Sequence, residues 1–381
     1  MKLYLIAGEN SGDFIGSHLM KALKDLNTKN NSKIEFSGVG GFNMQQEGID
    51  SLFPIEHINI MGFFEVLPHL LRINKLINQT VDDVISQNPD MLITIDSPGF
   101  TYRVAERVRE VSPHIKLLHI VAPSVWAYKP GRAKKYAKIY DNLLTLLPFE
   151  PKYFIAEGLN SSCIGHPVLE QAFFQSSSGL RVEMNIRENA KIIAVTPGSR
   201  KGEIRRHMPI IRKIFDQLST THDIEVIFVQ PNEFNIQEIL KFLGGAKFNY
   251  SFSTDRLKAF AVSDCALAKS GTNTLEITAS GTPQIVGYKL SPITFFLLKM
   301  MIKIRFASLV NIIPDREIIP EYIQSEFNPE NIVSAISGLL NDKKGARSQV
   351  AEAKRVLHSI GLDSDQKPSM RAAQIIFDML K

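Results

Sequence analysis

The chain has 381 residues, 44% of them hydrophobic and 22% charged, with a formal net charge of +5. This is too long for one ordinary domain and suits two, each with its own core, and the composition excludes a disordered or fibrous chain. The small positive excess is interspersed with acids and shows no basic run interleaved with aromatics. It therefore argues against a nucleic-acid partner and fits an anionic substrate or membrane surface.

Short apolar runs alternate with amphipathic stretches. Strands are predicted at Leu3–Ala7, Ile34–Val39, Met91–Ile95, Lys116–Val121 and Leu143–Leu147, with helices between most of them. The first run is short and leads straight into Gly8-Glu9-Asn10-Ser11-Gly12-Asp13, so it reads as a buried strand and not a leader. After Pro167 the chain turns polar through Gln175-Ser176-Ser177-Ser178-Gly179, the expected link between domains. Strands resume at Ile192–Thr196, Ile224–Val229, Phe248–Phe252, Cys265–Ala268 and Gln284–Val286, and the tail from about Asn331 is helical. This alternation predicts an α/β chain of two Rossmann-like domains facing each other across a cleft, with ligands at the carboxyl ends of the strands. The expected bounds are 1–170, 185–355 and a C-terminal helical segment 356–381 that returns to the first domain.

Two strand–turn–helix junctions carry most of the chemistry. Ile192 to Arg200 and Ala268 to Glu276 each pass from an apolar strand through a glycine turn into a helix start. A helix start offers unpaired N–H groups to a phosphate, and Arg200 adds a bidentate grip on its oxygens. Gly198, Ser199, Ser270, Gly271 and Thr272 line this phosphate side. Glu276 suits a ribose diol, or else closes a capping box with Asn273. Arg200 is otherwise a surface arginine opening a basic helix, where it opposes the helix dipole by about 0.3–1 kcal/mol unless an anion binds.

Asp96 ends an apolar strand before Ser97-Pro98-Gly99, where it reads as a general base or as the cap of the next helix. Gly8 to Asp13 lacks the spacing of a dinucleotide site; it is a glycine-lined substrate loop or a plain turn capped by Asp13. Cys163 and Cys265 are the only cysteines and lack metal-ligand spacing, which points to a reducing compartment and no metal site. Asp363-Ser364-Asp365 has diphosphate–metal spacing but no strand before it, so it reads as a helix cap. No apolar run reaches the roughly 18 to 20 residues of a membrane span. Two greasy stretches, Ile60 to Ile73 and Pro292 to Leu298, are buried helices or helices lying in a membrane interface, with Phe63, Phe64, Leu67, Phe295 and Phe296 as the contacts.

Taken in order, Gly8 to Asp13, Met61-Gly62-Phe63-Phe64-Glu65-Val66-Leu67, Ile95-Asp96-Ser97-Pro98, Ala122-Pro123-Ser124-Val125-Trp126-Ala127, Leu147-Pro148-Phe149-Glu150, Ile164-Gly165-His166-Pro167, Pro197-Gly198-Ser199-Arg200 and Ser270 to Glu276 resemble the lipid-A-disaccharide synthases. These are bacterial glycosyltransferases of the GT-B type (family 19), and the resemblance spans nearly the whole chain. The family often has Ala at Asn10 and Asp at Gly99, and Tyr128 to Arg132 also departs from it. The resemblance implies an inverting transfer of 2,3-diacylglucosamine from UDP-2,3-diacylglucosamine to lipid X, without a cofactor or metal. It implies Asp96 as base, Arg200 and its neighbours on the diphosphate, Glu276 on the ribose, Asn311 against the nucleotide, and Gly12 and Asp13 on the acceptor side. It also implies a cytoplasmic protein held peripherally on the inner membrane, with a homodimer as one oligomeric state open to it. The alternatives are another UDP-sugar enzyme of this fold, such as a GlcNAc transferase or 2-epimerase, or a non-catalytic nucleotide-binding membrane protein.

Overall fold

A computed structural model describes every residue except 29–32, 59–69, 172, 174–177, 188, 231–232, 302–303 and 363. The chain divides into two compact units, Met1–Glu170 with Asp363–Lys381, and Gln171–Leu362. The second unit thus runs past residue 355 and takes in the whole of the helix Lys343–Ser359.

The first unit is built on strands β1 (Lys2–Ala7), β2 (Glu35–Val39), β3 (Met91–Ile95), β4 (Lys116–Ile120), β5 (Asn142–Thr145) and β6 (Asn160–Cys163). They form one parallel sheet in the order β2-β1-β3-β4-β5-β6. Leu3 to Ala7 are fully buried, as a strand covered by helices on both faces requires. The helix Pro368–Leu380 completes this core: Ala372, Ala373 and Ile376 join it, and Ser369 N–H donates to Glu170 Oε1 at 2.6 Å.

The second unit holds β7 (Lys191–Val195), β8 (Ile224–Val229), β9 (Asn249–Ser253), β10 (Cys265–Ala268), β11 (Gln284–Tyr288) and β12 (Glu321–Ile323). This sheet is also parallel, in the order β12-β11-β10-β7-β8-β9. β6 and β12 were not predicted. Both are edge strands, short and without fully buried residues, so they lack the apolar pattern of the inner strands.

In each sheet the order reverses at one point, between β1 and β3 in the first and between β7 and β10 in the second. Helices leave for opposite faces there, which opens a crevice at the carboxyl ends of the two strands. The Gly8 and Asp96 loops follow β1 and β3, and the Arg200 and Ser270 junctions follow β7 and β10. Parallel pairing thus brings each pair of motifs to a switch point.

Candidate active-site residues of the two units

At the first switch point Gly8 meets Ser97 so closely that a Cβ on Gly8 would fall 2.2 Å from Ser97 Cβ. Asp96 and Ser97 both have positive φ, 53° and 48°. That backbone is unfavourable for non-glycine residues and persists where surrounding contacts over-determine it. Asp96 N–H donates to Ile120 O at 3.0 Å, and Thr101 Oγ1 donates to Asp96 O at 2.6 Å. The carboxylate accepts from Ser97 N–H at 2.7 Å and from Ser11 Oγ at 3.4 Å. It does not cap the following helix, Thr101–Val111, whose N-cap is Phe100. Burial pushes the Asp96 carboxyl above its ordinary value, against the two hydrogen bonds that favour its ionised form. The site holds a carboxylate with raised proton affinity at a strand's carboxyl end. Gly99 is exposed, and a side chain there would meet nothing within 4 Å.

The structure corrects the expectation for Asp13. Its carboxylate is buried and accepts four hydrogen bonds: from Gly41 N–H and Met44 N–H on Oδ1, and from Asn43 N–H and Nδ2 on Oδ2. Asp13 therefore seats the start of the helix Phe42–Gln46 and does not cap its own helix, whose N-cap is Glu9. Gly12 beside it is buried too.

At the second switch point Arg200 is the exposed N-cap of the helix Lys201–Leu218. Gly198 has φ +136°, and a Cβ there would lie 2.7 Å from Glu203 Cβ. The Ser199 N–H, expected to face a phosphate, donates to Glu203 Oε2 at 3.1 Å. Glu203 also accepts from Lys269 Nζ at 3.2 and 3.1 Å and from Tyr288 OH at 3.1 Å. Burial pushes the Glu203 carboxyl up, but the Lys269 charge and these hydrogen bonds outweigh it and hold the group below its ordinary value. Thr196 Oγ1 joins the two junctions, accepting from Lys269 N–H at 2.9 Å and Asn273 Nδ2 at 2.7 Å.

Glu276 forms no capping box. Its helix, Asn273–Ala279, starts at Thr272 without a side-chain cap. The carboxylate is buried and pairs with Arg256 Nε at 3.0 and 2.9 Å, and Gln171 Nε2 donates to it at 3.1 Å. Asn311 is bonded internally as well. It is fully buried, with its amide nitrogen on Ile319 O and Glu321 Oε1, and its oxygen on Ile318 N–H and Ile319 N–H. The polar capacity of its side chain goes into closing that loop.

A cavity of about 420 Å³ opens between these junctions, lined by Gly198, Ser199, Lys269, Ser270, Gly271 and Thr272, and also by Gln230 and Arg256. Gln230, Arg256, Lys269 and Glu203 escaped the sequence reading. Gln230 directly follows β8, so the rule that ligands sit at strand carboxyl ends is the signal that marks it. Phe295 is half-buried and Phe296 is 63% exposed on the helix Pro292–Met301, while Phe63, Phe64 and Leu67 lie outside the described residues. Among the described residues no cluster of His, Cys, Asp or Glu is placed to hold a metal ion, and no helix is long and apolar enough to cross a membrane.

Known proteins match this chain along its length. The lipid-A-disaccharide synthase of Rickettsia bellii (strain OSU 85-389) is 51% identical over 378 residues, 98% of this chain and 98% of the relative. That of Rickettsia akari (strain Hartford) is 50% identical over 377 residues, 98% of this chain and 95% of the relative. Among solved structures, S. aureus MnaA in a co-structure with UDP aligns with TM-score 0.64 at 14% identity, over 100% of this chain and 96% of that one. The glycosyltransferase SnogD from Streptomyces nogalater aligns with TM-score 0.57 at 14% identity, over 100% and 99%. These structures share the fold, two Rossmann-like α/β domains of the GT-B type. A family profile described as lipid-A-disaccharide synthetase matches residues 3–376, so the chain belongs to this family of glycosyltransferases of lipid A biosynthesis.

Proposed function

We propose that this enzyme transfers 2,3-diacylglucosamine from UDP-2,3-diacylglucosamine to the 6-hydroxyl of 2,3-diacylglucosamine 1-phosphate, lipid X. The products are UDP and the β-1,6-linked disaccharide 1-phosphate. A β link made from an α-linked donor requires inversion in a single displacement. Asp96 takes the hydroxyl proton as the oxygen bonds to C1 of the donor sugar. The bond from C1 to the β-phosphate oxygen breaks, and its electron pair leaves with UDP.

The observation that carries this reading is Asp96 itself: a carboxylate at the carboxyl end of β3, at the switch point, with raised proton affinity on an unfavourable backbone. In the second unit, Arg200 and the Gly198 to Ser199 turn take the diphosphate, with Ser270, Gly271 and Thr272 lining the cavity. Glu276 takes the ribose hydroxyls beside the Arg256 guanidinium that already engages it. Both sugar substrates carry acyl chains, so the enzyme works peripherally at the cytoplasmic face of the inner membrane. Exposed Phe296 and Met300, with Lys299 between them, suit that surface.

The test is an assay of purified protein with both substrates in detergent and EDTA. Disaccharide and UDP formed together support the transfer without a metal. UDP binding with no disaccharide would replace the transfer with another UDP-sugar reaction.

A further inference from the structure

We propose that Lys269 is a diphosphate-binding residue of the second-unit cavity, held in place by Glu203, and that it stabilises the charge UDP acquires on leaving. The inference rests on the nucleotide reading of that cavity and adds to it a cation that comes from β10, where Arg200 comes from the turn after β7.

The geometry of the pair points this way. Lys269 follows the last residue of β10 and lines the cavity beside Ser270 and Gly271. Its ammonium nitrogen lies 3.2 and 3.1 Å from the two Glu203 oxygens, astride the carboxylate. A close charge-assisted bond runs at about 2.7–2.9 Å, so this contact is loose enough to share the ammonium with an incoming anion. Each Glu203 oxygen has a second donor, Tyr288 OH on Oε1 and Ser199 N–H on Oε2. The carboxylate is thus held from three sides. An ammonium has three N–H donors, and a carboxylate on one side of it leaves at least one for a ligand. The Lys269 side chain is 22% exposed and Glu203 only 8%, so an anion entering the cavity reaches the lysine and not the acid.

The pairing also fixes the lysine in place. Glu203 holds the ammonium at the cavity wall before the nucleotide arrives. When the bond from C1 to the phosphate oxygen breaks, the charge develops on an oxygen of the group Lys269 contacts. A pre-placed donor of this kind acts most strongly in the transition state. Gln230 lines the same cavity; it is buried, its Nε2 donates to Gly198 O at 3.0 Å, and its Oε1 has no partner among the described residues.

The test compares UDP, UMP and uridine in competition binding to the wild type, Lys269→Met and Lys269→Arg, with donor turnover measured alongside. Lys269→Met should weaken UDP binding roughly 10- to 100-fold, as for a lost charged hydrogen bond. It should leave uridine nearly unchanged, flatten the salt dependence of UDP affinity and lower kcat, and Lys269→Arg should recover part of each. An unchanged UDP affinity, or an equal loss for UDP and uridine, overturns the inference, because a purely structural lysine would affect both ligands alike. A wild type that binds no UDP overturns the nucleotide reading itself. If Lys269→Met fails to fold because Glu203 is left unpaired, the double variant Lys269→Met with Glu203→Gln removes both charges and is read the same way.

Discussion

Ser97 Cβ lies 2.2 Å from where a Cβ on Gly8 would stand, so the loops after β1 and β3 meet only because residue 8 is glycine. Ser97 also donates to the Asp96 carboxylate. Gly8→Ala should therefore push Ser97 aside and move the carboxylate with it. The expected result is a stability loss of about 1–3 kcal/mol, as for an overpacked site, together with reduced turnover. Thermal unfolding and the transfer assay check both, and a variant that keeps both at wild-type level would contradict this loop contact.

Asp96→Asn should lower turnover by roughly 100-fold or more while UDP affinity is unchanged, as for loss of a general base. Its stability effect follows from the raised carboxyl. A group whose folded value is raised contributes stability below its unfolded value, and that contribution is lost as pH rises through the folded value. Asn cannot ionise, so it lacks this pH-dependent loss. The stability of the variant relative to wild type should rise as pH is raised from 4 to 7. Denaturant titrations at the two pH values measure it.

Asp13→Ala leaves three backbone donors and one amide donor without their acceptor. At least one of these becomes a buried unsatisfied group, for a loss of about 1–3 kcal/mol. The melting temperature should fall and UDP affinity should hold. A change in UDP affinity without a fall in melting temperature would assign Asp13 a role in binding.

Glu203 gives the opposite pH signature. Its folded value is lowered, so its stabilising contribution is present above the unfolded value of 4.5 and is lost as pH falls through the folded value. Glu203→Gln should narrow its stability gap to wild type as pH drops below 4.5. A gap that stays constant through that range would mean the carboxylate charge is not what stabilises the junction.

Phe296 and Met300 are 63% and 67% exposed, so replacing both with serine removes little packing. The double variant should keep its melting temperature and lose binding to anionic vesicles in a flotation assay. Unchanged flotation would remove this helix from the membrane contact.

The buried strands and the glycine-bearing junctions are legible in the sequence because both are local patterns. A fully buried parallel strand is a short apolar run, and a turn with positive φ calls for glycine at Gly198. The motif residues Asp96 and Arg200 are legible too, each just beyond such a strand. Edge strands β6 and β12 are not, because an edge needs no continuous apolar pattern.

What the chain order hides is which side chains have their bonding capacity taken up elsewhere. Asp13 finds its four donors 28 to 31 residues away, and Glu276 finds Arg256 on another helix. Only the packed sheets decide that Asp13 and Asn311 are internal staples, and that Lys269 stands on Glu203, 66 residues away. Hydrophobic periodicity sets which residues go inside. Pairing between polar groups is settled by parallel strand order, which brings residues distant in the chain to the same switch point.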